Sequence, residues 1–118
     1  MQERTAKRLH DALSAAQYIQ QFIAGRTFQE FLEDVYFRSA VERQFEILSE
    51  SMKAAVSSET RLNEVFPELH AIIGLRNRIA HSYDELEEKT LWDAAITEIP
   101  TLLTRLEAEL DEYGLPDE

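Results

Sequence analysis

The residues with the most obvious chemical capacity lie close together: Arg76, Asn77, Arg78, His81 and Tyr83, in the stretch Gly74-Leu75-Arg76-Asn77-Arg78-Ile79-Ala80-His81-Ser82-Tyr83. Arginine offers a permanently charged, planar set of donors that matches phosphate oxygens. Histidine can accept or release a proton near neutral pH. One residue type to hold a phosphate and another to move a proton is what cleavage of a phosphodiester needs. On a helical wheel of about 100° per residue with Arg76 at zero, Leu69 falls at about 20°, Ile72 at about 320°, Ile79 at about 300° and Ile73 at about 60°. Tyr83 falls at about 340° and Ala80 at about 40°, so Arg76 and Tyr83 fall within the arc of the apolar stripe. Asn77 at about 100° and His81 at about 140° continue round its edge as i and i+4 neighbours, while Arg78 at about 200° points away.

Arg76 and His81 are about 140° apart on that ideal helix, too far round to grip one small group within a single chain. A second copy related by two-fold symmetry would bring two Arg–His sets into one groove. The plain alternative is structural: a histidine near a helix C-terminus interacts with the last carbonyls, and an arginine pairs with an acid.

Composition narrows the field. The chain has 118 residues with a net charge of −11, so affinity for polyanions must come from a local basic patch or a partner. Cysteine is absent, which excludes a disulfide framework, a zinc ribbon and a thiol nucleophile. There is no glycine-rich phosphate loop, nucleophile elbow or metal motif, and neither metal nor cofactor is expected. His10 and His70 lack ligand partners at metal-binding spacing and read as surface residues. The acidic run Glu107, Glu109, Asp111, Glu112 reads as a solvated face, and Glu42, Arg43, Glu46 and Glu50 read as a solvated or interface face. Apolar runs are too short to span a membrane. The opening Met1-Gln2-Glu3-Arg4 lacks the apolar core of a signal peptide, so a cytoplasmic location is expected.

The elements that must position the motif read as helices. Ala, Leu, Glu, Gln and Arg dominate, with three glycines and three prolines, which favours an all-α chain. Leu9, Ala12, Leu13, Ala16, Ile19 and Ile23 give a first helix over 4–24, and Gly25 suits its left-handed cap. Thr27 with Glu30 matches a capping box opening a short helix over 28–32. Phe37, Val41, Phe45, Leu48, Met52 and Ala55 mark a central packing helix over 34–56. The loop at 57–60 and a short turn at 61–65 follow. Pro67 suits the first turn of a fourth helix over 67–83 that carries the motif. Asp84 with Glu87 resembles another capping box, and Trp92, Ala95, Ile99, Leu102, Leu103, Leu106 and Leu110 make the stripe of the last helix. Pro100 inside it should kink it near Thr97. The expectation is one domain over 1–118, an antiparallel bundle of four to five helices, with a flexible tail from about residue 114.

The stretch Arg76-Asn77-Arg78-Ile79-Ala80-His81-Ser82-Tyr83 matches the R-x4-H-x-Y pattern of the HEPN superfamily and resembles its HepT-like toxins. Val41-Glu42-Arg43-Gln44-Phe45-Glu46-Ile47-Leu48-Ser49-Glu50 is similar to that family's central helix, and residues 92–103, with Pro100, to its last. The resemblance implies a HEPN-like bundle and a metal-independent ribonuclease that works as a homodimer with a composite site at the two-fold interface. Arg76 would hold and polarise the scissile phosphate, His81 would act as general acid or base, and Asn77 would support them. It further implies a toxin–antitoxin pair in which an MntA-like nucleotidyltransferase adds AMP to Tyr83. The acidic chain suits a narrow structured substrate such as tRNA. The competing reading is a non-catalytic helical module that binds a nucleotide or a nucleotidyltransferase.

Overall fold

A computed structural model describes residues 1–67, 70–72, 74 and 85–113. Every regular element among them is helical: α1 Glu3–Ile23, α2 Phe28–Glu33, α3 Val35–Ser58, α4 Leu62–Val65 and α5 Glu85–Tyr113. Residues 70–72 and 74 are helical as well. The chain is thus an all-α bundle, as its composition and periodicity predict.

Local chemistry explains where the helices stop and start. Gly25 sits at φ 71°, the left-handed region a residue with a Cβ enters only at a cost, and it reverses the chain after α1. Thr27 and Glu30 then close the predicted capping box: the Thr27 side chain accepts from the Glu30 backbone N–H, and the Glu30 carboxylate accepts from that of Thr27. Asp34 ends α2 and caps α3, its carboxylate accepting from the backbone N–H groups of Tyr36 and Phe37 at 3.1 Å each. α3 closes at Ser58, and the expected turn after it is the single-turn α4. Pro67 lies in a turn ahead of the helical residues from 70; the rest of the predicted 67–83 helix, the start at Asp84 and the tail from 114 lie outside the described residues. α5 continues as helix through Pro100. The ladder bond lost there would have gone to the carbonyl of Ile96, on an exposed side of the helix where water can replace it.

Contacts at the two ends fix the directions. Thr5 at the start of α1 shares a hydroxyl hydrogen bond with Ser58 at the end of α3, so these helices run oppositely. Arg38 near the start of α3 pairs with Glu88 near the start of α5, and Arg61, just beyond α3, pairs with Glu109 near the end of α5. α3 and α5 therefore share a direction. α1 lies against both: Ala6, Leu9, Ala12, Ala16 and Ile19 are fully buried, as are Val41, Phe45, Leu48 and Met52 of α3 and Ala95, Ile99, Leu102 and Leu106 of α5. An aromatic group closes one end, with Phe31 set edge-on to Phe37 and both rings against Trp92.

Candidate functional site

The predicted site residues Arg76, Asn77, His81 and Tyr83 lie outside the described residues. What the structure does define is the frame on either side of them, and α3 builds most of it.

On the N-terminal side, Phe66 and Ile72 are buried. The buried hydroxyl of Ser49, midway along α3, donates to the Ile72 carbonyl at 2.8 Å. This bond holds the helical residues just ahead of the motif against α3. His70 and Ala71 face outward, so the surface role expected of His70 holds, and it holds for His10 on α1.

On the C-terminal side, Glu88 is 9 % exposed and its carboxylate lies 3.8 Å from Arg38. The same guanidinium donates to the carbonyls of Phe31 and Leu32 at 3.2 and 2.6 Å, near the C-terminal end of α2. Arg38 therefore joins α2, α3 and α5 at one point. Leu91 and Trp92 are buried immediately beyond, anchoring the first turns of α5 through apolar contact. The anchors Ser49 and Arg38 are eleven residues apart on one helix, about 16 Å along its axis. Both flanks of the motif are thus fastened to α3.

One turn along from Arg38, Glu42 is half-buried, at the inner edge of the face read from the sequence as solvated or interfacial. Burial and then the neighbouring Glu88 push its carboxyl up to about 7, Glu46 adds to this, and the Arg38 guanidinium opposes it. The sequence carried a signal for this cluster: Arg38, Glu42, Glu46 and Ser49 recur at steps of four and three beside the apolar seam. Arg43 and Glu46, by contrast, form an ordinary surface pair at 3.3 Å. Glu109 also departs from the solvated run expected of it, since it receives a hydrogen bond from Arg61 at 2.6 Å that ties α4 to α5.

Among the described residues no group of histidines and carboxylates could hold a metal ion, and no helix is long and apolar enough to cross a membrane. The frame offers an arginine-clamped carboxylate at one end, a buried hydroxyl at the other, and a titratable glutamate between them.

The comparisons with known proteins address what the frame serves. A family model described as "Ribonuclease HepT-like" matches residues 12–109. A protein from Methanocaldococcus jannaschii named "Putative RNase" is 28 % identical over 112 residues, spanning 93 % of this chain and 90 % of that protein. A "Probable ribonuclease HepT" from Thermococcus cleftensis is 28 % identical over 99 residues, spanning 84 % and 89 %. A further "Putative RNase", from Caldanaerobacter subterraneus subsp. tengcongensis, is 26 % identical over 100 residues, spanning 80 % and 83 %. No solved structure gives a match of comparable significance.

Proposed function

The chain belongs to the HepT-like ribonuclease family, and on that premise we propose that it is a metal-independent endoribonuclease, the toxin of a toxin–antitoxin pair, whose chemistry rests on Arg76 and His81. The observation that carries this reading is the R-x4-H-x-Y run at residues 76–83, which falls inside the matched region and between the two flanks fastened to α3.

In the proposed reaction the ribose 2′-hydroxyl attacks the adjacent phosphorus and the bond from phosphorus to the 5′-oxygen breaks. A cyclic phosphate and a free 5′-hydroxyl result. Arg76 holds the non-bridging oxygens as negative charge builds on them. His81 takes the proton from the 2′-hydroxyl or supplies one to the leaving oxygen. Asn77 orients the phosphate or the two catalytic side chains. Two copies of the chain, related by a two-fold axis, complete the groove. A structured RNA such as tRNA is the proposed substrate, because a chain of net charge −11 has little to offer an arbitrary polyanion. The protein acts as one cytoplasmic domain, and an MntA-like nucleotidyltransferase silences it by transferring AMP from ATP to the Tyr83 phenol oxygen, with pyrophosphate leaving. The added phosphate brings negative charge beside Arg76 and His81.

The test is cleavage of tRNA by purified protein in the presence of a chelator. Arg76→Ala and His81→Ala should each lower the rate by about 100-fold or more while the helical circular dichroism and the dimer persist. If both variants cut as fast as the parent, the catalytic assignment is wrong. With a nucleotidyltransferase and ATP, mass spectrometry should find AMP on Tyr83, and modification at Tyr18 or Tyr113 instead would refute the regulatory assignment.

A further inference from the structure

Beside the core stripes of α1 and α3 runs a second pair. Arg8, Asp11, Ala15 and Tyr18 recur along α1 at steps of three and four, and Ile47 and Ser51 follow the same repeat on α3. Because the two helices run oppositely, these stripes border one open cleft of about 560 Å³. Its floor is small: Ala15 and Ser51 are buried, and side chains of that size leave space that larger ones would fill.

The cations of the chain divide sharply around this cleft. Lys7, Arg26, Arg38, Arg43, Arg61 and Lys89 each sit in an ion pair, and Arg105 has a partner as well. Arg4, Arg8 and Lys53 form no ion pair among the described residues, and all three are exposed at the end of the molecule where α1 begins and α3 closes. Arg4 lies one turn before Arg8 and continues its stripe. The carboxylates at the rim do not cancel this charge freely, since Asp11 pairs with Lys7 at 3.5 Å and Glu50 has a partner of its own. In a chain of net charge −11, uncommitted cations mark where a polyanion meets least resistance.

At the other end of the cleft stands an aromatic platform. Tyr18 is 48 % exposed, and its ring is stacked on that of Phe22 with centroids 5.9 Å apart and planes 26° apart. Phe22 packs against the core, so the tyrosine ring is held in place while much of it stays open. Gln44 lines the cleft near it, with an amide that both donates and accepts. Arg8 and Tyr18 are ten residues apart, about 15 Å along α1. That length matches about four stacked nucleotides at about 3.4 Å each.

This combination selects among occupants. A partner helix would need a broad apolar floor, and here the floor is alanine and serine. A second copy would bring its own net charge of −11 and set the same arginines against each other. A nucleic-acid segment uses every part: phosphates on Arg8, a base on the Tyr18 ring, and a base edge on the Gln44 amide. Position agrees. Ser49, which holds the Ile72 carbonyl, lies about 160° round α3 from Ile47, and Lys53 stands on the exposed ridge between them. One helix width, about 10–12 Å, separates the cleft from that flank of the motif.

We propose that the cleft between α1 and α3 is an RNA-binding subsite, in which Arg8 contacts a phosphate and Tyr18 stacks on an unpaired base away from the scissile bond. The inference rests on the ribonuclease reading given above. It assigns substrate recognition to a place separate from Arg76 and His81, so binding and chemistry can be tested apart.

The measurement is the steady-state rate of tRNA cleavage by the full-length chain in the presence of a chelator, as tRNA concentration and salt are varied. Arg8→Gln and, independently, Tyr18→Leu should each raise KM by about fivefold or more while kcat changes by less than about twofold. Tyr18→Phe keeps the ring and should restore the parent's KM. Arg8→Gln should also flatten the dependence of log kcat/KM on log salt by about one released ion. Melting temperatures should stay near the parent's, since both side chains lie at the surface. Unaltered KM in Arg8→Gln and Tyr18→Leu, with the parent cutting normally, overturns the subsite and leaves the ribonuclease reading standing. No cleavage by the parent removes the ribonuclease reading itself, and this inference with it. A fall in kcat at constant KM would make these residues supports of the fold or the chemistry, and a change in oligomeric state of the Tyr18→Leu chain would make a second copy the occupant; either result overturns the proposal.

Discussion

At the scale of single residues, Glu42 is the group whose behaviour is least like its surface counterparts. Its carboxyl is raised from 4.5 to about 7, first by burial and then by Glu88. A raised carboxyl means that the folded chain holds a proton the unfolded chain has released. Stability is then highest below the unfolded value and falls as pH rises from about 4.5 to about 7, levelling off above that. The full shift would correspond to about 3 kcal/mol, and solvent around a half-exposed side chain screens it to about 1 kcal/mol. Glu42→Gln should therefore raise the melting temperature by a few degrees at pH 8 and leave it nearly unchanged at pH 4.5, which thermal unfolding at the two pH values would show. Equal gains at both would mean that Glu42 acts by shape and not by charge. Arg38 presents the opposite case. It is the partner of Glu88 and also a donor to two carbonyls of α2. Arg38→Met keeps the stem but removes every donor, and should cost about 2–3 kcal/mol by leaving a buried carboxylate short of its cation. Chemical denaturation would measure that loss.

At the scale of elements, helix ends and helix faces were legible for different reasons. Gly25, the Thr27–Glu30 box and the Asp34 cap depend on neighbours within a few positions, so the sequence showed the first two directly, and the structure adds that Asp34 closes one helix and opens the next. The apolar stripes of α1, α3 and α5 were equally plain, because burial imposes the helical repeat. The anchoring of the motif's flanks was not legible. Ser49 in a charged run looks like any other surface serine until Ile72, 23 residues on, presents a carbonyl to it. Glu42 and Glu88 could be recognised as a pair only once two distant helices had been brought together. A polar repeat such as Arg38, Glu42, Glu46 and Ser49 marks one face of α3 but does not name the partners on other elements, and those long-range contacts frame the site. The Ser49 bond leads to a definite expectation. Ser49→Ala should cost about 1 kcal/mol, since it removes a buried hydrogen bond to the Ile72 carbonyl, and amide exchange at residues 70–74 should quicken more than exchange in α1. Uniform quickening throughout the bundle would show that the bond supports the fold in general and not the motif's flank.

At the scale of the whole molecule, the shape of the problem is an acidic protein that must act on RNA. The motif's Arg76 and Arg78 are two of only twelve cations set against twenty-three carboxylates. A single copy therefore has little basic surface to gather, and the ideal wheel separates Arg76 from His81 by about 140°. Both facts suit the proposed groove shared by two chains, in which a pair of arginines would face the phosphate and each proton-moving histidine would work beside its partner's arginine. This arrangement has a consequence that a one-chain site lacks. Arg76→Ala and His81→Ala chains, each inactive alone, should regain tRNA cleavage when unfolded together and refolded as mixed dimers. The mixed groove keeps one intact arginine and one intact histidine, contributed by different copies. If each chain carried a complete site of its own, every chain in the mixture would lack one of the two groups and no activity would return. The same mixture should respond weakly to added salt. Few phosphates are neutralised by so acidic a protein, so the slope of log affinity against log salt should be shallow, about one or two released ions. Restored cleavage with that shallow slope would establish a shared groove that recognises RNA by fit; absent restoration under conditions where mixed dimers are seen to form would place the chemistry within one chain.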